Sequence, residues 1–451
     1  MTRATWKSKI GFIFAAAGSA IGLANIWRFP YIVGKYGGAA FIYIYLACLF
    51  LIGFPVFISE VLIGRKTQKN PQAAFKAIGG NKLWSFSGFF TIITGFLISS
   101  FYAVIAGWVL GYLVAAILGQ LSHFSTPASA QDFYIQLVSN PVWGVGFSFF
   151  FIAICFFLLI AGVRKGLERG SEIMVPFLIL ILIVLVINGV TMPGAHVGLS
   201  FYLKPNWSLI TPTTFLFALG HAFFTLSLGQ GTMVTYGSYL GKKESILNNC
   251  LPVALIDTAI AILAGLAIFP IVFAVGLSPD EGAPLVFYTL PLVFSKLSGG
   301  YILAILFFLL LSLAALTSEI SAMEPLIAYL TDEKKWKRKS AVTFVCLGAF
   351  LIGVPAALSN FVIPRFTIFG KNFFDLISYI ALELMVPVGG LMAVLLVAWK
   401  WGMKKAYKQF KEGPSNEWLD NPLMKGYLWS TIKYLAPLLI VIIFLHTFIF
   451  S

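Results

Sequence analysis

The chain has 451 residues, of which 59% are hydrophobic and only 11% charged. A soluble chain of this length divides into two or three cores. Here apolar runs of about 20 residues, the length that crosses a bilayer, recur from end to end. The net charge of +14 is not a nucleic-acid footprint, because the cations sit in the short connections between those runs, so lipid is the expected partner and nucleic acid is not.

Eleven spans are predicted, at 10–34, 39–64, 86–118, 143–162, 171–190, 212–239, 250–276, 299–329, 340–358, 373–400 and 431–450. The expected fold class is an all-α polytopic membrane protein, with residues 1–451 forming a single transmembrane domain. The first span carries Gly18-Ser19-Ala20-Ile21-Gly22-Leu23-Ala24-Asn25-Ile26-Trp27-Arg28-Phe29-Pro30. A packing seam of small residues would account for Gly18 and Gly22. It would not account for Asn25 and Arg28 at membrane depth, where polar groups are costly. Irregular backbone survives there only inside protein or beside a wet cavity. The stretch therefore reads as a broken helix whose freed backbone groups bind something.

Arg3, Lys7 and Lys9 precede the first span. With the N-terminus cytoplasmic, the inner connections also hold Arg65 to Lys82, Arg164 to Arg169, Lys242 and Lys243, Lys334 to Lys339, and Lys400 to Lys433. The outer side keeps only a few cations, among them Lys35, Lys204, Lys296, Arg365 and Lys371. This bias orients the chain in the plasma (inner) membrane, and an odd number of spans places the C-terminus outside. The first span lacks a signal-peptidase site and is not a signal peptide. Cys48, Cys155, Cys250 and Cys346 fall in or beside apolar runs and are expected to pack as free thiols.

The sixth span, 212–239, is interrupted too: Gly220-His221-Ala222-Phe223-Phe224-Thr225-Leu226-Ser227-Leu228-Gly229-Gln230-Gly231 brackets hydroxyls, an amide and an imidazole with glycines. His221 is expected to hydrogen-bond. Broken spans five apart point to inverted repeats, approximately 10–190 and 212–400, with 431–450 as an additional span. In the seventh span Asp257 stands inside an apolar run, and a mid-span carboxylate marks a functional site. In the eighth, the hydroxyls of Thr317 and Ser318 either back-bond to their own helix or face an ion. Neither a phosphate-binding loop nor a catalytic constellation is present, so an enzyme is not expected.

Trp6, the run Gly18–Pro30, Glu60 with Gly64-Arg65, Phe223–Gly229 and Ala315-Leu316-Thr317-Ser318 together resemble the neurotransmitter:sodium symporter family, in its eleven-span prokaryotic form. The resemblance runs from Trp6 to the eleventh span. It implies a 5+5 inverted-repeat fold with broken helices 1 and 6. The implied activity is sodium-coupled import of a neutral L-amino acid, hydrophobic or large, by alternating access with two Na+ per substrate. A membrane amino-acid sensor and a sodium-independent exchanger are the alternatives on the same fold; the gate and ion-site residues argue against them.

The family's site residues carry over as follows. The first sodium would meet the Ala20 carbonyl, Asn25, Thr225, Asp257 and the substrate carboxylate. The second would meet carbonyls of Gly18, Ile21 and Ala314 and the hydroxyls of Thr317 and Ser318. The substrate would lie among Ala20, Gly22, Leu23, Ala24, Ile98, Tyr102, Phe224, Thr225, Ser227, Gln230, Ser318 and Ala322. Chloride-dependent relatives have an amide where Asp257 stands and a serine where Ala261 stands, so no chloride requirement is expected. Ala24, Gln230 and Ala322 depart from the bacterial leucine transporter, so leucine preference is not implied. Arg28 with Asp375 matches the outer gate, and Arg3 with Asp332, beside Trp6, the inner one. Gly166 and Pro176 match the fifth-span hinge, where a proline lets the preceding turn unwind.

Overall fold

The structure is a computed structural model that describes residues 4–274, 276, 283–359, 367–368, 370–413 and 420–450. Its helices are Lys9–Ala20 (α1), Ala24–Lys35 (α2), Ala39–Thr67 (α3), Pro71–Gly79 (α4), Lys82–Ile117 (α5), Pro127–Ser139 (α6), Pro141–Ile160 (α7) and Val163–Thr191 (α8). They continue as Ala195–Leu203 (α9), Pro212–Thr225 (α10), Thr232–Ser238 (α11), Ile246–Ala274 (α12), Thr289–Lys296 (α13) and Gly300–Asp332 (α14). Arg338–Ser359 (α15), Phe373–Phe410 (α16) and Pro422–Leu445 (α17) complete the set.

Local chemistry sets the helix starts. Asn81 caps α5 by accepting from the Trp84 N–H at 3.1 Å. Asn140 caps α7 with Pro141 in its first turn, and at the start of α10, where Pro212 follows, the Thr211 N–H donates to Thr214 Oγ1 at 3.0 Å. A side-chain oxygen thus satisfies an open backbone donor at each start, and at α7 and α10 proline takes a position that needs none. α1 stops where Ile21 turns extended, with ψ at 90°. The chain resumes as α2 at an angle of 54°. α10 and α11 are parted by Leu226–Gly231, where Ser227, Gly229 and Gly231 take φ of 53°, 73° and 76°. Gly229 is required twice over, since a Cβ there would also lie 2.0 Å from the Val386 carbonyl oxygen of α16.

Among the described residues, nine helices are long and apolar enough to cross a membrane, or ten if α1 and α2 count as one bent span. The predicted crossing at 212–239 is not among them, because the break leaves α10 and α11 with 14 and 7 residues. Three boundaries differ from the sequence expectation by two helical turns or more. The fifth span starts at Val163 rather than near residue 171, because a wide turn over Val163–Glu168 runs straight into the helix despite its charges. The tenth continues to Phe410, and the eleventh begins at Pro422.

α1 lies inside the bundle against α8, α12 and α14, α14 packs along α5, and α11 packs on α3. The centre is therefore built from the broken helices. The outer surface carries Phe149, Phe150, Phe157, Leu180, Ile187, Leu438 and Leu445, all exposed. Rows of exposed phenylalanine and leucine on α7, α8 and α17 suit lipid rather than water. The four cysteines are free and buried, as expected.

Candidate functional site

The two breaks face each other and are joined through Ser19. Its carbonyl accepts from the Ser227 hydroxyl at 2.9 Å. Its own hydroxyl receives that of Ser321, on α14, at 2.7 Å. Between the breaks, α5 and α14 lies a cavity. Ten of the residues expected for substrate line it: Ala20, Gly22, Ala24, Ile98, Tyr102, Phe224, Ser227, Gln230, Ser318 and Ala322. Leu23 and Thr225 stand just behind. The Leu23 N–H donates to the Tyr102 hydroxyl at 3.2 Å. That approach needs Gly22, where a Cβ would lie 2.9 Å from Ser318 Oγ and 3.2 Å from Tyr102 Oη.

Three of the four residues expected at the first sodium, Asn25, Thr225 and Asp257, form a closed cluster. Asn25 Nδ2 donates to Asp257 Oδ1 at 2.7 Å and to Thr225 Oγ1 at 3.1 Å. Thr225 Oγ1 donates to the Asp257 carboxylate at 2.9 and 3.0 Å. All three residues are fully buried. The donor set is hard oxygen, suited to sodium, and a half-turn of the Asn25 amide would present its oxygen. Asp257 makes no ion pair among the described residues.

At the expected second ion the backbone carbonyls gather around α14. Ser318 Oγ lies 3.4 Å from Gly18 O, 3.1 Å from Ser19 O and 3.3 Å from Ile21 O. Thr317 Oγ1 back-bonds to its own helix, at 3.1 Å from Ala314 O and 3.2 Å from Leu313 O. It still faces the break, since a Cβ at Gly18 would lie 3.2 Å from Thr317 Cβ. One hydroxyl of the pair thus back-bonds to its own helix, and the other reaches across to the carbonyls of the broken helix.

The outer gate pair is not joined. Asp375 is exposed in the first turn of α16. No ion pair links it to Arg28 among the described residues. Arg28 instead sits 5.9 Å from the centre of the Phe224 ring. It shares a second cavity with Glu383. At the opposite gate Arg3 lies outside the described residues, and Asp332 accepts from Asn70 Nδ2 at 3.4 Å. Trp6 is buried, with Nε1 donating to Tyr236 O at 3.0 Å and its ring edge-on to Phe12, Tyr236 and Tyr239. Gly166 lies in the wide turn that opens α8, and Pro176 inside that helix. Val175, beside Pro176, reaches to 3.0 Å of where a Cβ on Gly18 would stand. This part of α8 therefore abuts the break.

His221 corrects an expectation. Neither ring nitrogen hydrogen-bonds among the described residues. The ring packs 5.1 Å from Phe29 and 5.3 Å from Tyr45. Three residues were not foreseen. Ser19 and Glu319 line the central cavity. Glu168 receives the N–H groups of Lys7 and Ser8 at 2.9 to 3.1 Å and so holds the N-terminal segment down. Glu319 carried a readable signal, being a mid-span carboxylate beside Thr317-Ser318.

The sequence profile described as "Sodium:neurotransmitter symporter family" matches residues 3–132 and 135–450. The chain is 38% identical over 444 residues to the sodium-dependent transporter YhdH of Bacillus subtilis (strain 168), covering 98% of this chain and 97% of that one. It is 27% identical to the sodium- and chloride-dependent GABA transporter 2 of Homo sapiens, over all of this chain and 80% of the relative. The solved structure of MhsT in complex with L-phenylalanine superposes with a TM-score of 0.89 at 40% identity, covering 99% of this chain and 100% of that one.

Proposed function

Because the chain belongs to the sodium:neurotransmitter symporter family, whose members are sodium-dependent transporters rather than enzymes, we propose that it imports a neutral L-amino acid, hydrophobic or large, with two sodium ions and without chloride. The observation that carries this reading is the buried cluster of Asn25, Thr225 and Asp257 set beside a cavity formed by both helix breaks. A solved relative holds L-phenylalanine, which supports an amino acid as cargo.

In this reading the substrate carboxylate meets the N–H groups at the start of α2 and the Tyr102 hydroxyl, where the positive end of a helix favours an anion. The same carboxylate completes the shell of the first sodium, so each cargo raises the affinity of the other. The substrate ammonium meets carbonyls at Ala20, Phe224 and Thr225. The second sodium holds α1 to α14 through Gly18, Ile21, Ala314, Thr317 and Ser318. Asp257 supplies the negative charge that chloride provides elsewhere. Phe224 and Arg28 close the outer path, while Trp6, held by Glu168, closes the inner one. The protein works in the plasma membrane with its N-terminus cytoplasmic and its C-terminus outside.

The test is uptake of a radiolabelled amino-acid panel into proteoliposomes, under an inward sodium gradient or choline, each with chloride or gluconate. Accumulation that needs sodium and survives gluconate is the expected result. Collapse in gluconate would remove the role given to Asp257. Sodium-dependent binding without accumulation would make the protein a sensor, and equal accumulation in choline an exchanger.

A further inference from the structure

Glu319 has no task in the cycle set out above, yet it lines the substrate cavity. It is 1% exposed, and neither carboxylate oxygen has a hydrogen-bond partner among the described residues. Among the described residues, the ionisable groups that its charge reaches are Tyr102 on α5, Cys155 on α7 and Cys346 on α15. None of them is a cation. A second acceptor in the same lining, Gln230 Oε1, also lacks a donor among the described residues. Unsatisfied acceptors are among the costliest features a membrane interior can hold, and they persist where function retains them. Two such groups around one cavity leave the cargo as the source of donors.

We propose that Glu319, with Gln230, forms a polar subsite for the far end of the substrate side chain and selects amino acids whose side chain carries an N–H donor. The inference rests on the amino-acid transport reading and refines it. A purely hydrocarbon side chain would seal both acceptors away from water with nothing to bond. An indole N–H, a side-chain amide or an ammonium group would satisfy them. A site built to receive a donor rejects the analogue that lacks it far more strongly than a greasy pocket rejects a small change in size. Ala322, one turn along α14 from Glu319, leaves room for a larger group to reach the carboxylate.

The experiment is sodium-dependent binding to the full-length protein, by competition, with two matched pairs. Tryptophan is set against 3-benzothienylalanine, in which sulfur replaces the indole N–H, and lysine against norleucine. At least one N–H-bearing member is expected to bind about tenfold tighter or more than its partner. Preference in the tryptophan pair alone identifies a neutral donor and sustains the proposal; preference in the lysine pair sustains the subsite and replaces the neutral cargo of the transport reading with a cationic one. Glu319→Leu is expected to bring the preferred pair to within about twofold. Glu319→Gln, which keeps an acceptor and a similar shape, is expected to retain a tryptophan preference and abolish a lysine preference. Thermal stabilisation by sodium, read on both variants, shows that the ion sites and fold persist. Equal affinities within both pairs, or a preference that survives Glu319→Leu, overturns the subsite while leaving amino-acid transport in place. No sodium-dependent binding of any amino acid by the unmodified protein overturns the transport reading itself.

Discussion

Asp257 is buried with two neutral partners and no ion pair among the described residues, which is an expensive place for a carboxylate unless a cation joins it. Asp257→Asn is therefore expected to cut sodium-driven uptake by about tenfold or more in gluconate, a loss of the size seen when a charged ligand is removed. The double change Asp257→Asn with Ala261→Ser is expected to recover part of that uptake, but only when chloride is supplied. Arg28 poses a second question at this scale, since it shares a cavity with Glu383 while Asp375 is exposed at the helix start. Glu383→Gln is expected to speed release of bound substrate to the outside several-fold, and Asp375→Asn to leave it nearly unchanged; a binding chase in sodium measures both. Asn25, Asp257 and the Thr317-Ser318 pair were legible in the sequence because polar chemistry in an apolar run has few innocent explanations. Ser19 was not, because a lone serine beside glycine is ordinary in a packed membrane helix. Glu168 was hidden by its surroundings, since a carboxylate between Lys165 and Arg169 reads as part of a solvated loop.

The helices with breaks carry the site, and their breaks were readable from composition: glycines flanking polar residues at 18–30 and 220–231. The geometry was not, since the 54° bend between α1 and α2 depends on what each half packs against. α8 shows the same divide. Its Gly166 and Pro176 follow a recognisable spacing, but its first turn at Val163–Glu168 was assigned to a loop on charge alone. In the folded chain Glu168 is buried and the turn is continuous with the helix. A Cβ at Gly166 would lie 1.9 Å from the Leu158 carbonyl oxygen, so the turn is pressed onto the end of α7. Pro176 removes one backbone hydrogen bond from the helix just beyond. Pro176→Ala restores that bond and stiffens α8. It is expected to lower the rate of uptake several-fold with little change in equilibrium substrate binding, as initial-rate and binding assays on the same preparation would show.

At the scale of the whole molecule the fold class and the membrane setting follow from apolar run length, while the exact tally of crossings does not. The 212–239 crossing is two short helices, and packing on α3 brings both into the bundle. In the proposed cycle two sodium ions move with a zwitterion and so carry two charges. Across about 100 mV that supplies about 4.6 kcal/mol, or about three decades of concentration, before the sodium gradient is counted. An imposed inside-negative potential is therefore expected to raise sodium-dependent uptake, and clamping the potential at zero to lower it. Uptake indifferent to potential would require a compensating charge to return.

The contact between Gly229 and α16 has a practical consequence. A Cβ on Gly389 would lie 2.1 Å from the Gly229 carbonyl oxygen, just as one on Gly229 would strike Val386. The two backbones thus meet with no side chain between them, so a single methyl group is a wedge. Gly389→Ala is expected to prop α16 away from the sixth-span break, abolishing uptake while sodium still stabilises the protein against heat. Such a variant would be a doorstop, a way to hold the transporter at one point of its cycle without a drug or an antibody.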